Sequence, residues 1–267
     1  MFRKVVFVLV LGLVALLLAC AATDPRENDR TPPIKPVMIG HLGTFGDISY
    51  TGVSLTDDNN GIDAVSEGNW IRIQWEDLLD TNIEMIEVYR FDNDTREVPR
   101  LVTVIREWRN TEFIDRLLPA TIGNSSAIET DWHYFIRAIN HAGTYTDSDT
   151  VNFRLIEKPV LSNPPDGREL TNAELRAPGA FSWRNMGTST PSTRMRLLIF
   201  DENMNLVWRH DELHATETAV FNTNFYRPQS LPAGTYHWRV DSRGNVDHNG
   251  IHSSGSKSMM RSFRIVN

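Results

Sequence analysis

Trp132-His-Tyr-Phe-Ile-Arg-Ala138 decides how the rest of this chain is read. Taken with a period of two, it places Trp132, Tyr134, Ile136 and Ala138 on one face, the pattern of a strand with one side against a core. Working outward, Ile71-Arg-Ile-Gln-Trp75 alternates in the same way and sets Ile71, Ile73 and Trp75 together. Ile83 to Phe91 is a further candidate strand, closed by the turn-forming Asp92-Asn93-Asp94. Leu101 to Trp108 carries the β-branched Val102, Val104 and Ile105, and Val151-Asn-Phe-Arg-Leu155 alternates again. Short alternating runs with no helical period predict an all-β chain.

The order then recurs. Phe181-Ser-Trp183 parallels Ile73-Gln-Trp75, and Met195 to Phe200 parallels Met85 to Phe91. Thr235-Tyr-His-Trp-Arg-Val240 parallels Tyr134 to Ala138, with Tyr236, Trp238 and Val240 inward; Ser262-Phe-Arg-Ile-Val266 parallels Asn152 to Ile156. The Trp-bearing strands repeat at roughly 108 residues, which predicts two copies of one β module. Lys158-Pro159 is the join, and the turn cluster Asn163-Pro-Pro-Asp-Gly167 opens the second copy. One large irregular β domain is the alternative; the repeated order favours two tandem sandwiches, residues 37–157 and 158–267.

Several segments of residues 68–156 resemble a fibronectin type III domain: Ile73-Gln-Trp75, Val88-Tyr89-Arg90, Thr111-Glu-Phe-Ile-Asp115, and Tyr134-Phe-Ile-Arg-Ala-Ile-Asn-His-Ala-Gly143. The resemblance implies an immunoglobulin-like sandwich with Trp75 and Tyr134 as the large core fillers and Gly143 at a reversal into the last strand. Trp132 stands where that family often has Tyr, so a hydroxyl-mediated corner bond is not implied there. Residues 40–67 also make this copy longer than the usual module. Residues 159–267 resemble bacterial fibronectin III-like domains more loosely, through Pro164-Pro-Asp-Gly167, Phe181-Ser-Trp183 and Leu231-Pro-Ala-Gly-Thr-Tyr-His-Trp-Arg-Val240. A fold that hosts many functions implies architecture and leaves activity open.

At the N-terminus, Arg3 and Lys4 precede an apolar run from Val5 to Leu18 that ends at Cys20, the single cysteine. Leu17-Leu18-Ala19-Cys20 resembles the lipobox of bacterial lipoproteins, which implies a signal peptide over 1–19 and acylation of the Cys20 sulfur, palmitate being one such acyl chain. A plain secretory signal or an uncleaved membrane helix is the alternative. Two or three acyl chains would hold the chain stably at a membrane, and Ala21, rather than Asp, favours the outer membrane of a two-membraned cell. Residues 20–36, polar and with several prolines, predict a lipidated, disordered tether. Without residues 1–19 the chain has 25 basic (27 − 2) and 34 acidic side chains, a net charge of −9. That balance opposes binding to nucleic acid or to anionic headgroups, so lipid would supply the membrane contact.

No residue set reads as catalytic, and a non-enzyme is expected. Ser254-Gly-Ser-Lys257 has Ser-x-x-Lys spacing, yet in a Gly/Ser loop entering a strand it reads as a solvated turn. His210-Asp-Glu-Leu-His214 lacks the order of a zinc protease helix, and Asp247, His248 and His252 form only a loose group. Thr56-Asp-Asp-Asn-Asn-Gly-Ile-Asp63 is the best small-ion candidate: Asp58, Asn60 and Glu67 fall at calcium-loop offsets, although Thr56 and Asp63 depart from the pattern. A polar insertion loop is the plainer reading. Trp70 and Trp108 are candidate sugar-stacking residues, with Trp208 in a similar setting in the second copy; coverage of a sandwich edge is the plainer account of each. The expectation is a lipid-anchored envelope protein acting as a non-catalytic binding, adhesion or scaffold module for a protein partner. The alternative is a glycan-binding accessory lipoprotein of a polysaccharide-uptake system.

Overall fold

The computed structural model describes residues 26, 29–39, 61–92, 98–118, 121–122, 125–126, 128–185, 194–213, 218–219, 221, 230–244 and 254–267. These are almost wholly strands. In the first half they are β1 (Ile62–Ala64), β2 (Ile71–Gln74), β3 (Ile83–Asp92), β4 (Arg100–Ile105), β5 (Glu112–Asp115), the short pair β6 (Thr121–Ile122) and β7 (Ser125–Ser126), β8 (Asp131–Asn140), β9 (Tyr145–Asp147) and β10 (Val151–Leu155). In the second half they are β11 (Val160–Asn163), β12 (Arg168–Leu170), β13 (Phe181–Arg184), β14 (Arg194–Asp201), β15 (Leu206–Leu213), β16 (Thr218–Ala219), β17 (Gly234–Arg243), β18 (Ser254–Lys257) and β19 (Arg261–Ile265). One short helix, α1 (Asn172–Leu175), is closed by a capping box in which Thr171 and Glu174 bond reciprocally.

Two sandwiches result, each with its own core. In the first, a β1-β2-β5 sheet faces β3, β4 and β8–β10, and the core is Ile62, Ile71, Ile73, Trp75, Ile86, Val88, Trp132, Tyr134, Ile136 and Phe153. In the second, β11-β13-β16 faces β14, β15 and β17–β19 around Phe181, Trp183, Leu197, Ile199, Trp208, Trp238 and Phe263. The alternation read from the sequence is physically realised: Ile71, Ile73 and Trp75 are all fully buried, as are Tyr134, Ile136 and Ala138. Burying a side chain the size of Ile71, Ile73 or Ile136 contributes about 1.5–3 kcal/mol.

Strand registers make the repeat concrete. Trp132 on β8 pairs with Phe153 on β10, and Tyr236 on β17 pairs with Phe263 on β19. Val88 on β3 pairs with Ile136, and Leu197 on β14 with Val240. Gly143, at φ 79°, closes the β8–β9 reversal, its N–H bonding the Asn140 carbonyl at 3.0 Å. Gly61, at φ 88°, is needed for a different reason: a Cβ there would sit 2.4 Å from the Gln74 carbonyl oxygen.

Two features depart from expectation. Residues 20–36 were expected to be a free spacer, but the described part of that segment is docked on the β8–β9 hairpin. The Asn140 side chain donates to the carbonyls of Asp29 and Thr31, both at 2.9 Å, and Thr146 Oγ1 donates to that of Pro33 at 2.7 Å. The segment then runs on to bridge Met38 with Trp75. Prolines that cannot donate still offer carbonyls, so a polar, Pro-rich stretch finds partners here. Second, Ser254–Lys257 was expected to be a solvated turn; it is β18, with Ser254, Gly255 and Ser256 buried. It pairs antiparallel with β17 and parallel with β10, so one eleven-stranded sheet runs through both sandwiches.

Candidate interaction surface

Alternation along β3 and β8 gives their sheet an outward side, and in the first sandwich that side is aromatic. Tyr89 opposes Phe135, Phe91 opposes His133, and Glu87 opposes Arg137 across the two strands. Leu101 and Val104 on β4 extend the same face beside Tyr89 and Glu87 and are 49% and 39% exposed; Tyr145 on β9 is 53% exposed. Tyr89, Phe91, His133 and Phe135 are half-buried.

The rings stand in ordered pairs. Tyr89 and Phe135 lie 4.9 Å apart with planes 7° from parallel, and Phe91 and His133 lie 4.9 Å apart at 15°. That spacing matches the distance between neighbouring strands, so the rings stand side by side and turn edges, not faces, to solvent. The Arg137 guanidinium lies over Tyr145 at 3.9 Å and over Tyr89 at 5.0 Å while forming a two-bond pair with Asp147 at 2.7 and 3.0 Å. The bond to Asp147 holds Arg137 firmly protonated, and burial lowers the pKa of His133, which favours its neutral form. The face therefore offers ring edges, aliphatic side chains, the Arg137–Asp147 ion pair and the Glu87 carboxylate, which accepts from Tyr89 Oη at 2.6 Å. Such a surface suits desolvation against another protein, because contiguous exposed apolar area of this kind is otherwise a liability.

In the second sandwich most of the corresponding positions are covered, although His237, opposite Phe200 as His133 is opposite Phe91, is half-buried. Leu198, which aligns with Tyr89, is fully buried, Phe200 is buried beside Arg239, and Arg196, Arg209 and Arg239 are each under one-tenth exposed. The open face thus belongs to the first copy alone among the described residues.

Behind the open face, the core edge holds a buried polar triad that sequence reading missed. Asp115, with no exposed surface, accepts from Tyr134 Oη at 2.9 Å and pairs with Arg90 Nη1 at 2.5 Å. Burial and the Asp115 charge raise the Tyr134 phenol well above its ordinary value, so it stays a donor. Arg90 also lies 5.0 Å over Trp132. In the second copy Tyr236 Oη instead donates to the Pro232 carbonyl at 2.9 Å, a tyrosine corner that holds the approach to β17. The first copy, with Trp132 in the aligned place, uses the buried carboxylate instead.

The other candidates fall as follows. Cys20, Asp58, Asn60, His214, Asp247, His248 and His252 lie outside the described residues. Glu67 is exposed. Burial works to raise its carboxyl, but its own amide, Ser66 Oγ at 2.9 Å and the charges of Arg72 and Lys158 hold its pKa below the usual range. Among the described residues no group of three or more His, Cys, Asp or Glu side chains is arranged to hold a metal. Trp70 and Trp108 are both half-buried and sit at opposite ends of the β2–β5 pair, Trp70 preceding Ile71 (opposite Asp115) and Trp108 preceding Glu112 (opposite Gln74). They form no joint platform. Arg116 lies 5.1 Å over Trp70, and Trp108 packs on the core with Arg109 at 5.2 Å over its ring. Trp208 is buried against Phe221. No helix among the described residues is long and apolar enough to cross a membrane.

No protein-family model matches the chain, and no curated protein matches it. Among solved structures it is similar to the FN1–FN3 domains of chicken CNTN1, with 10% identity and a TM-score of 0.31 over 77% of this chain; the match spans 66% of that structure's length.

Proposed function

We propose that this chain is a lipid-anchored, non-catalytic binding or scaffold protein of a bacterial cell envelope. Acyl chains on Cys20 hold it at the membrane, and the aromatic face of β3, β4, β8 and β9 engages a protein partner. The observation that carries this reading is the contrast between the two copies: one outward face is mostly closed, and its counterpart leaves Leu101, Val104 and Tyr145 in water. The position of the single cysteine after the apolar run supports the anchor.

The test combines two measurements in the native host. A photo-crosslinking amino acid at Leu101 is expected to capture one defined envelope protein, and a Tyr145→Glu change is expected to abolish that adduct with folding intact. The same probe at Met204, exposed on the second sandwich, serves as the control. Equal capture from both positions, or turnover of a substrate by the purified chain, would end this reading. Palmitate labelling that persists in a Cys20→Ser variant would remove the anchor from it.

Glycan capture is the second reading, favoured only by the partial exposure of Trp70 and Trp108. Binding to a polysaccharide that is lost on Trp108→Ala, with Leu101→Glu neutral, would promote it over the first.

A further inference from the structure

The boundary between the sandwiches is built, not merely spanned. Tandem modules joined by a short linker ordinarily reorient freely, because few contacts cross the join. Here the end of β10 lies parallel to β18, with Arg154 opposite Ser254 and Leu155 opposite Gly255. The Ile156 N–H donates to the Gly255 carbonyl at 3.2 Å, and Ser256 Oγ donates to the Glu157 carbonyl at 3.0 Å. Gly and Ser at 254–256 let two backbones approach this closely, and Ser242 Oγ meets Ser256 Oγ at 2.7 Å behind them.

Two lysines close the join on β1 and the loop that follows it. Lys257, on β18 of the second sandwich, pairs with Asp63 on β1 of the first, and both side chains are only about one-tenth exposed. Lys158, in the connection, donates to the carbonyls of Val65 and Ser66 at 2.7 and 3.0 Å. Around them stand Glu67 from the first sandwich and the Arg239–Asp241 pair of β17, bonded at 2.8 and 3.1 Å. A largely desolvated pair resists separation, because parting it leaves one charge buried without its partner.

We infer that this junction is a latch, in which Lys257 and Lys158 clamp the second sandwich to β1 and its following loop so that the two copies move as one rigid strut. A rigid strut fixes where the second sandwich stands relative to the open face of the first, whatever that face binds. The residues behind it, Asp63, Lys158 and the Ser-Gly-Ser-Lys run, are far apart in sequence and belong to neither core cluster.

Amide hydrogen exchange on the full chain tests this, because the Ile156 N–H belongs to the junction while the Ile136 and Val240 amides lie within the separate sandwiches. In the unaltered protein the Ile156 amide is expected to be strongly protected. Asp63→Asn is expected to accelerate it by about tenfold or more, with Ile136 and Val240 unchanged, and the exchanged pair Asp63→Lys with Lys257→Asp is expected to restore most of the protection. If Asp63→Asn also accelerates Ile136, the first sandwich itself has loosened; Lys158→Met, at a residue whose hydrogen bonds go only to the Val65 and Ser66 carbonyls, then decides on the same readout. Free exchange at Ile156 in the unaltered protein, or no response to the deciding variant, overturns the latch.

Discussion

Ser148 in the first sandwich and Ser258 in the second make the same pair of hydrogen bonds to corresponding residues of their neighbouring strands. The Ser148 N–H donates to the Ile136 carbonyl at 2.8 Å, and its hydroxyl oxygen accepts from the Ile136 N–H at 3.0 Å. Ser258 does likewise with Val240, at 2.9 Å in both directions. In each copy the last strand steps away from its neighbour at this point, and the serine hydroxyl takes the place of the missing ladder carbonyl. Copies with so little shared sequence thus keep one backbone solution, because a buried N–H must be satisfied.

Replacing that hydroxyl should cost the same in either copy. Ser148→Ala and Ser258→Ala each leave a buried N–H without its acceptor, so each is expected to destabilise its sandwich by about 1–3 kcal/mol. Urea unfolding followed by tryptophan fluorescence measures this; a near-zero effect in one copy would show that the step there relaxes.

The triad of Arg90, Asp115 and Tyr134 should behave unequally. Tyr134→Phe removes one donor but leaves the ion pair, a loss of about 1–2 kcal/mol. Asp115→Ala strands Arg90 and the Tyr134 hydroxyl together and should cost about 3–5 kcal/mol. Thermal unfolding of the two variants side by side checks the order; equal losses would mean the carboxylate is not the hub.

Lys158 gives the junction a pH dependence of known sign. Burial pushes its pKa down to about 8; Glu67 and Asp241 oppose that shift, while Lys257 and Arg239 add to it. The folded chain therefore releases this proton earlier than the unfolded chain, whose lysines titrate near 10.4. Between about pH 8 and 10.4 the unfolded state holds more protons, so the contribution of this site to stability rises with pH across that window. Below the window the penalty for the buried charge is fully present. Urea midpoints measured from pH 7 to 10 are expected to climb more steeply for the unaltered protein than for Lys158→Met; parallel curves would refute the assignment.

Asn140 should control the docked N-terminal segment. Its amide group donates to Asp29 and Thr31 while its Oδ1 accepts from the N–H groups of Ala142 and Thr144 at 3.0 and 2.9 Å, so every bond it can make across the turn is in use. Asn140→Asp keeps the accepting half and turns the donating half into a repulsion between oxygens. Tryptic cleavage after Arg30 is expected to accelerate about tenfold, with the sandwich core intact by circular dichroism. An unchanged cleavage rate would mean that the other contacts of this segment suffice to hold it.

Much of the architecture was legible in the residues alone, and the reason is periodicity. A strand with one face on a core must alternate, so Ile71, Ile73, Trp75, Tyr134, Ile136, Trp238 and Val240 announce both their secondary structure and their burial. Recurrence of that pattern announces two copies. The turn at Gly143 was readable for a similar local reason, since the reversal needs a positive φ.

What faces the other side of each strand is not a local property. Tyr89 and Leu198 hold corresponding places, yet one is half in water and the other fully covered. Ser254-Gly-Ser-Lys257 carries turn-like composition and becomes a strand because β10 and β17 offer it hydrogen bonds on both edges. Asp29 to Pro33 looks unable to fold and is held because Asn140 and Thr146 present donors to its carbonyls. By itself the sequence determined which residues turn inward and that the motif occurs twice. Only the tertiary structure decided which outward face stays open, which segment is captured and how the two halves are joined, because those outcomes depend on contacts between residues far apart in the chain.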